Sequence, residues 1–287
     1  MSDQPVVALD IGGSSIKSAV VAAGPKILSD VFVHSMESRA SASEILKIFS
    51  TVIAMHLETC REVKGVALAF PGPFDYEKGI CLIQGQEKFD ALYSLDLSAS
   101  LREILGMPSL EIRYRNDAEA AILGEALYGA GARFSRLLGL TLGTGLGSAF
   151  IVDGAVITEG AGVPAHGWLY SQPYGTNRAD DVFSTRGLLA RLIQHGIRAA
   201  DIDSAIAMVN EHDHALEETF ASFGMDLGLF LKPFVSTFRA DGVLVTGGIA
   251  EAWDRFAPSL MRAIPVPVVK GTLGRHAPLL GAAALYF

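Results

Sequence analysis

Apolar residues in this chain gather in short runs broken by glycine and polar turns, and the period of the runs changes along the sequence. Residues 6–10, 16–22 and 27–34 are apolar or β-branched runs separated by Gly or polar turns, which predicts three consecutive strands. Over 43–61, Ile45, Ile48, Val52, Met55 and His56 recur near helical spacing and predict a helix. Residues 65–70 are wholly apolar, a short strand stopped by Pro71-Gly72-Pro73, which cannot continue a sheet. Strands are expected at 80–83 and 111–114, with a helix at 98–105 between them. A helix over 117–128 is strongly indicated: Asn116 can cap it, Asp117 sits in its first turn, and Ala-rich sequence follows.

The second half repeats the theme. Strands are expected at 137–142, 148–152 and 155–158, followed by a loop-rich stretch over 159–181. Helices are expected at 183–195, 202–210 and 213–238. A buried strand at 243–246 ends at Gly247-Gly248; then come a helix at 251–263, a strand at 266–269 and a last helix at 277–286. Each half opens with three strands and then alternates helices with short apolar strands, the pattern of mostly parallel sheet. Two similar α/β domains with a cleft between them are expected, with a boundary near 115–130 and the last helix packing back on the first domain.

Two glycine turns carry candidate chemistry. Asp10-Ile11-Gly12-Gly13-Ser14-Ser15 closes the first apolar run, and Leu142-Gly143-Thr144-Gly145-Leu146-Gly147 closes the run that starts the second half. A strand follows each, so each is a hairpin turn with little side chain and free N–H groups, suited to phosphate oxygens. Neither is a Walker A or a dinucleotide fingerprint, since no Gly-Lys-Ser/Thr and no helix follows. Asp10 would hold a water on Mg²⁺, and Lys17 would neutralise phosphate charge. An ordinary solvated turn is the plain alternative for either loop. Asn116-Asp117 is the best candidate for a catalytic base, against the alternative of a routine helix cap. The helix dipole favours a carboxylate there, so the Asp117 pKa is expected to stay low. Gly72 brings backbone close to a ligand or merely ends a strand. Gly247-Gly248 would let an adenine ring lie on backbone at the sheet edge. His166, in a Gly/Pro loop with Trp168, is a candidate ligand contact, while His212 and His214 show no metal spacing.

Composition narrows the field. With 287 residues, two domains of ordinary size fit. A net charge of −8 argues against a nucleic-acid footprint. Two cysteines, Cys60 and Cys81, imply no disulfide framework, and a reducing cytoplasm is the simplest setting. The start has neither a basic nor an apolar leader segment, so no signal peptide is expected. No apolar run reaches the ~18 residues of a membrane span.

Taken in order, these motifs resemble the ROK family of sugar kinases, within the actin/hexokinase/Hsp70 ATPase superfamily. Asp10 to Lys17 looks like the family's first phosphate motif and Phe70-Pro71-Gly72-Pro73 like its sugar-side turn. Asn116 to Glu125 looks like the segment with the catalytic Asp, Leu142 to Gly147 like the second phosphate motif, and Val245-Thr246-Gly247-Gly248 like the adenosine motif. Ile16-Lys17 and Arg178 to Gly187 look more like the polyphosphate-glucokinase branch. The resemblance implies two ribonuclease-H-like (actin-like ATPase) domains, 1–117 and 118–287. It implies Asp117 as the catalytic residue and Gly72, Asn116, His166 and Asp180 on the sugar. Asp10, Gly12, Gly13, Ser14, Lys17, Gly143, Thr144, Gly145, Gly247 and Gly248 would hold ATP, with Mg²⁺ reached through a water on Asp10.

The departures from the family pattern matter. No cysteine follows Ala161 to His166, so structural zinc is not expected. A sugar-binding Glu maps on Val163, and a second maps on Asp180, one methylene shorter. Losing a carboxylate removes charge-assisted bonds of roughly 1.5–3 kcal/mol each, which puts glucose specificity in doubt. The expected activity is ATP-dependent phosphorylation of a hexose hydroxyl, the 6-OH, by a cytoplasmic homodimer. The alternatives are a sugar-sensing or degenerate member without turnover, and a polyphosphate-dependent kinase. The repressors of the family carry DNA-binding helices ahead of the first phosphate strand, and no room for them is expected before Val6.

Overall fold

The computed structural model describes residues 4–201, 204 and 214–287. The chain divides into two compact units, one running through Gly124 and completed by Arg275–Phe287, the other Glu125–Gly274. The expected helix at 202–210, the start of the next at Asp213, and His212 lie outside the described residues.

In the first unit, β1 (Val6–Ile11) and β2 (Ser15–Ala22) form an antiparallel hairpin. Beyond them come β3 (Lys26–Ile27), β4 (Phe32–Ser35), α1 (Ala42–Thr59), β5 (Gly65–Phe70), the small hairpin β6 (Phe74–Asp75) with β7 (Ile80–Cys81), α2 (Leu97–Leu105) and β8 (Ile112–Asn116). The sheet order is β3-β2-β1-β5-β8, with β4 also on β2. β5 adds parallel to β1, and β8 parallel to β5. Every residue of β5 is buried, which is why the run is uniformly apolar: both faces are covered. Val7, Leu9, Ile11, Val66 and Leu68 share a core with Ile45, Phe49 and Ile53 of α1. α1 is started by a capping box, with the Ser41 side chain on Glu44 N–H and the Glu44 carboxylate on Ser41 N–H. The other face is covered by α8 (Ala277–Ala283). α3 (Asp117–Tyr128) crosses α8 at glycines; a Cβ on Gly281 would overlap the Ala120 carbonyl, and one on Gly124 the Ala277 carbonyl.

The second unit repeats the topology. β9 (Arg136–Leu142) and β10 (Leu146–Val152) form the hairpin, and β11 (Ala155–Ile157) adds antiparallel to β10. After the small hairpin β12 (Pro173–Tyr174) with β13 (Asn177–Arg178) come α4 (Ala179–Phe183), α5 (Thr185–Gln194) and the long α6 (His214–Phe238). β14 (Gly242–Thr246) then joins β9 in parallel, followed by α7 (Trp253–Ala263) and β15 (Val268–Lys270), giving β11-β10-β9-β14-β15. Leu138, Leu140 and Val243 from the sheet share a core with Phe220, Phe223 and Leu227 of α6 and Phe256 and Leu260 of α7.

Two expected elements have different bounds in the structure. The strand expected over 27–34 is two, because Ser29 Oγ takes the Val20 N–H (3.0 Å) that a continuous strand would have bonded. The helix expected over 183–195 is α5, beginning after Ser184 in an extended conformation, and Phe183 instead ends the separate short helix α4, which lies mostly in the stretch expected to be loop-rich.

Candidate functional site

In the first unit, the β1–β2 turn is tied back through its carbonyls. Gly12 N–H donates to Ser15 O (2.9 Å), Ser14 O accepts from Met36 N–H (2.9 Å), and Gly13 O accepts from Ser38 N–H (3.2 Å). The Gly13 and Ser14 N–H groups have no acceptor among the described residues. An anion could supply one, as in other concave runs of backbone N–H. Asp10 and Lys17 stand opposite each other on the two strands, Nζ 2.8 Å from Oδ2. A lone carboxylate at such a turn fits Mg²⁺ held through water, since that ion keeps several of its waters. Among the described residues, no three His, Cys, Asp or Glu gather as a metal cluster.

The register sets the neighbouring strand ends level. Asp10 pairs with Ala69, and Phe70 with Asn116. Asp10, the Pro71-Gly72-Pro73 turn and the Asn116-Asp117 junction therefore share one edge of the sheet. Asn116 Oδ1 caps α3, accepting from Ala118 N–H (3.1 Å) and Glu119 N–H (3.2 Å). Its Nδ2 donates to Tyr76 Oη (3.0 Å), which donates to Phe70 O (3.1 Å). A Cβ on Gly72 would meet Tyr76 Oη at 3.2 Å and Asn116 Nδ2 at 3.8 Å, so a side chain there would crowd that pair. Asp117 Oδ1 accepts from Ala118 N–H (2.9 Å), and Oδ2 takes no bond among the described residues.

The expected low pKa of Asp117 is corrected. Burial pushes the carboxyl above its ordinary value, and the Asp10 charge pushes the same way; the Ala118 N–H bond and the Lys88 charge oppose it without winning. Desolvation outweighs the helix dipole at this half-buried carboxyl.

In the second unit, Gly143 N–H donates to Gly145 O (3.1 Å), and Gly143 O accepts from Thr185 N–H at the start of α5 (2.7 Å). The Thr144 and Gly145 N–H groups have no acceptor among the described residues. Asp180 sits against this turn: Oδ1 accepts from Leu146 N–H (2.7 Å), and Oδ2 lies 3.3 Å from Arg186 Nη2. Both its oxygens are thus engaged. Gly247 follows β14 with φ of 95°, and a Cβ on it would overlap the Leu142 carbonyl, so only glycine fits beside the base of the turn. Gly248 faces open space. His166 is exposed, has φ of 59°, and stacks on Trp168 with ring centroids 4.5 Å apart. Its loop is pinned by Ser148, whose hydroxyl donates to Gly167 O (2.7 Å) and accepts from Leu169 N–H (2.9 Å). Val163 packs partly against the core of the second unit.

Sequence reasoning passed over four residues. Tyr76 and Lys88 lie in irregular stretches with no periodic signal. Arg186 bridges Asp180 and Asp181. Glu125, within the Ala-rich helix, is fully buried and accepts from Leu273 N–H (2.6 Å) and Ala130 N–H (3.1 Å).

Against known proteins, the match to the ROK family spans residues 6–287. The chain is 28% identical to a glucokinase of Thermotoga maritima, covering 98% of this chain and 96% of that protein. It is 26% identical to a β-glucoside kinase of Listeria innocua, covering 86% and 83%. The crystal structure of a Streptomyces griseus ROK glucokinase with glucose and AMPPNP superposes with a TM-score of 0.76 at 22% identity, covering 98% of both chains. That likeness shows the actin-like ATPase fold.

Proposed function

The chain belongs to the ROK family, and from that premise we propose that it transfers the terminal phosphoryl group of ATP to a hydroxyl of a hexose or hexose-like sugar, the 6-OH. The observation that carries the reading is the Asn116–Asp117 junction. There a half-buried carboxylate with one oxygen free of hydrogen bonds among the described residues stands at the same sheet edge as a turn with free N–H donors. A carboxyl raised by burial is a better base than an ordinary one at neutral pH.

In the step, the sugar hydroxyl oxygen attacks the terminal phosphorus. The new O–P bond forms as the bond to the bridging oxygen of ADP breaks, and the hydroxyl proton passes to Asp117. Such a transition state is loose, so positioning and charge stabilisation carry the rate. Gly13 and Ser14 on one turn, and Thr144 and Gly145 on the other, offer N–H and hydroxyl donors to phosphate oxygens, while Gly12 and Gly143 close their turns through their own N–H groups and add little side-chain bulk beside the phosphates. Lys17 adds a positive charge, and Gly247 and Gly248 leave room for the adenosine. Mg²⁺, held through water by Asp10, would neutralise charge on the transferring phosphates. Asn116, Gly72 and His166 are assigned to the sugar. Asp180 is assigned there too, with the further task of holding the second turn through Leu146. The glucose and AMPPNP in the Streptomyces griseus relative support ATP as donor.

A donor-by-sugar matrix tests this: ATP or polyphosphate against glucose, mannose and a β-glucoside, reading sugar phosphate and, with ATP, ADP. Sugar-dependent ADP release is expected. Sugar and nucleotide binding by calorimetry without turnover would instead favour a sensing protein, a reading that the apolar Val163 supports. Activity with polyphosphate alone would replace the donor.

A further inference from the structure

Lys88 is flanked by two residues in the left-handed backbone region, Glu87 and Phe89, each with φ of 58°. Non-glycine residues hold that conformation only where their surroundings impose it, and here they do. Phe89 is fully buried, with its ring 5.3 Å from that of Phe70, the last residue of β5. Its N–H donates to Ser38 O (2.7 Å), and Ser38 N–H donates to Gly13 O in the glycine turn (3.2 Å). On the other side, Arg39 donates to the Glu87 carbonyl (3.0 Å) and carboxylate (2.7 Å).

The Lys88 backbone is thus fixed relative to both the phosphate turn and the end of β5. Its ammonium has no hydrogen bond or ion pair among the described residues. The residue is half-buried and lines a cavity of about 340 Å³ with Ser38, Arg39, Glu87, Asp90 and Ala91. The walls carry charges of both signs, and hence donors and acceptors, which suits a neutral polyol better than an anion or an apolar group. The Lys88 charge is also felt at Asp117, where it opposes the effect of burial.

We propose that Lys88 is a specificity-determining residue of the acceptor site, donating from its ammonium to an oxygen of the sugar and so fixing which hydroxyl meets Asp117. This rests on the reading of Asp117 as the base. A constrained segment holds a cation that has no partner among the described residues, and the bound acceptor completes its hydrogen bonding.

Steady-state kinetics of Lys88→Met and Lys88→Arg, with glucose and mannose as varied acceptors, test it. Lys88→Met is expected to raise the acceptor KM about tenfold or more, the effect of one lost charge-assisted bond. The KM for ATP should stay within about twofold, because the contact is to the sugar alone. The ratio of kcat/KM for glucose to that for mannose should change, and Lys88→Arg should restore part of the affinity. An unchanged acceptor KM and sugar preference in Lys88→Met overturns the proposal. Calorimetry of glucose and mannose on Asp117→Asn, with and without Lys88→Met, separates the two readings. A loss of sugar affinity on adding Lys88→Met supports the Lys88 contact even if Asp117 is not the base. A parent protein that binds neither sugar overturns both. Matching thermal melts exclude a folding defect as the cause.

Discussion

Lys17 and Asp10 face each other across β2 and β1, and their charged groups meet at 2.8 Å. The Lys17 side chain is 34% exposed and that of Asp10 14%, so as a structural ion pair it contributes at most about 1 kcal/mol. Its place beside the Gly12–Ser14 turn gives it a larger role with nucleotide. Lys17→Met is expected to raise the KM for ATP about tenfold while leaving the sugar KM and the melting temperature nearly unchanged. Kinetics with each substrate varied in turn, alongside a thermal melt, checks this. A large fall in melting temperature with an unchanged KM for ATP would make the pair structural.

The raised carboxyl of Asp117 fixes the sign of a pH effect. A base works only when deprotonated, so kcat/KM must fall as pH drops through the raised value. The acid limb should therefore lie above the ordinary carboxylate value of about 4. A pH profile of kcat/KM, with the sugar subsaturating, reads it. A limb at or below the ordinary value would return Asp117 to the role of a solvated cap.

His56 gives a stability effect away from the site. It is buried, its Nε2 lies 2.9 Å from Ser18 Oγ, and burial, followed by the charge of His34, pushes its pKa down from 6.5 to about 4. The unfolded chain then binds the proton more readily than the folded one. Stability is complete above about pH 6.5 and is lost as pH falls towards 4, by at most about 3 kcal/mol. Urea unfolding at pH 7 and pH 5 should show the drop, and His56→Gln should flatten it.

Much of the fold could be read in the sequence because the relevant signals are local. The β1–β2 and β9–β10 hairpins show as apolar runs meeting glycines, and the Asn116 cap shows as a polar residue before an Ala-rich helix. What escaped depends on tertiary context. Ser29 breaks a strand only because Val20 N–H is within reach. The Asp117 carboxyl is set by the protein around it rather than by its place in a helix, and the Asp180 carboxylate reaches Leu146 only once the chain has folded back. Lys88 carries no sequence signal at all, since its setting comes from two left-handed residues that no periodicity marks.

The central claim is that Asp117 serves the sugar hydroxyl, and the direct measurement is sugar-dependent ADP release from Mg-ATP by the parent and by Asp117→Asn. The substitution preserves shape and the bond from Ala118 N–H to the side-chain oxygen while removing the base. The account predicts a loss of about 10²–10⁴ in kcat with nucleotide affinity retained. An Asp117→Asn protein as active as the parent would contradict it.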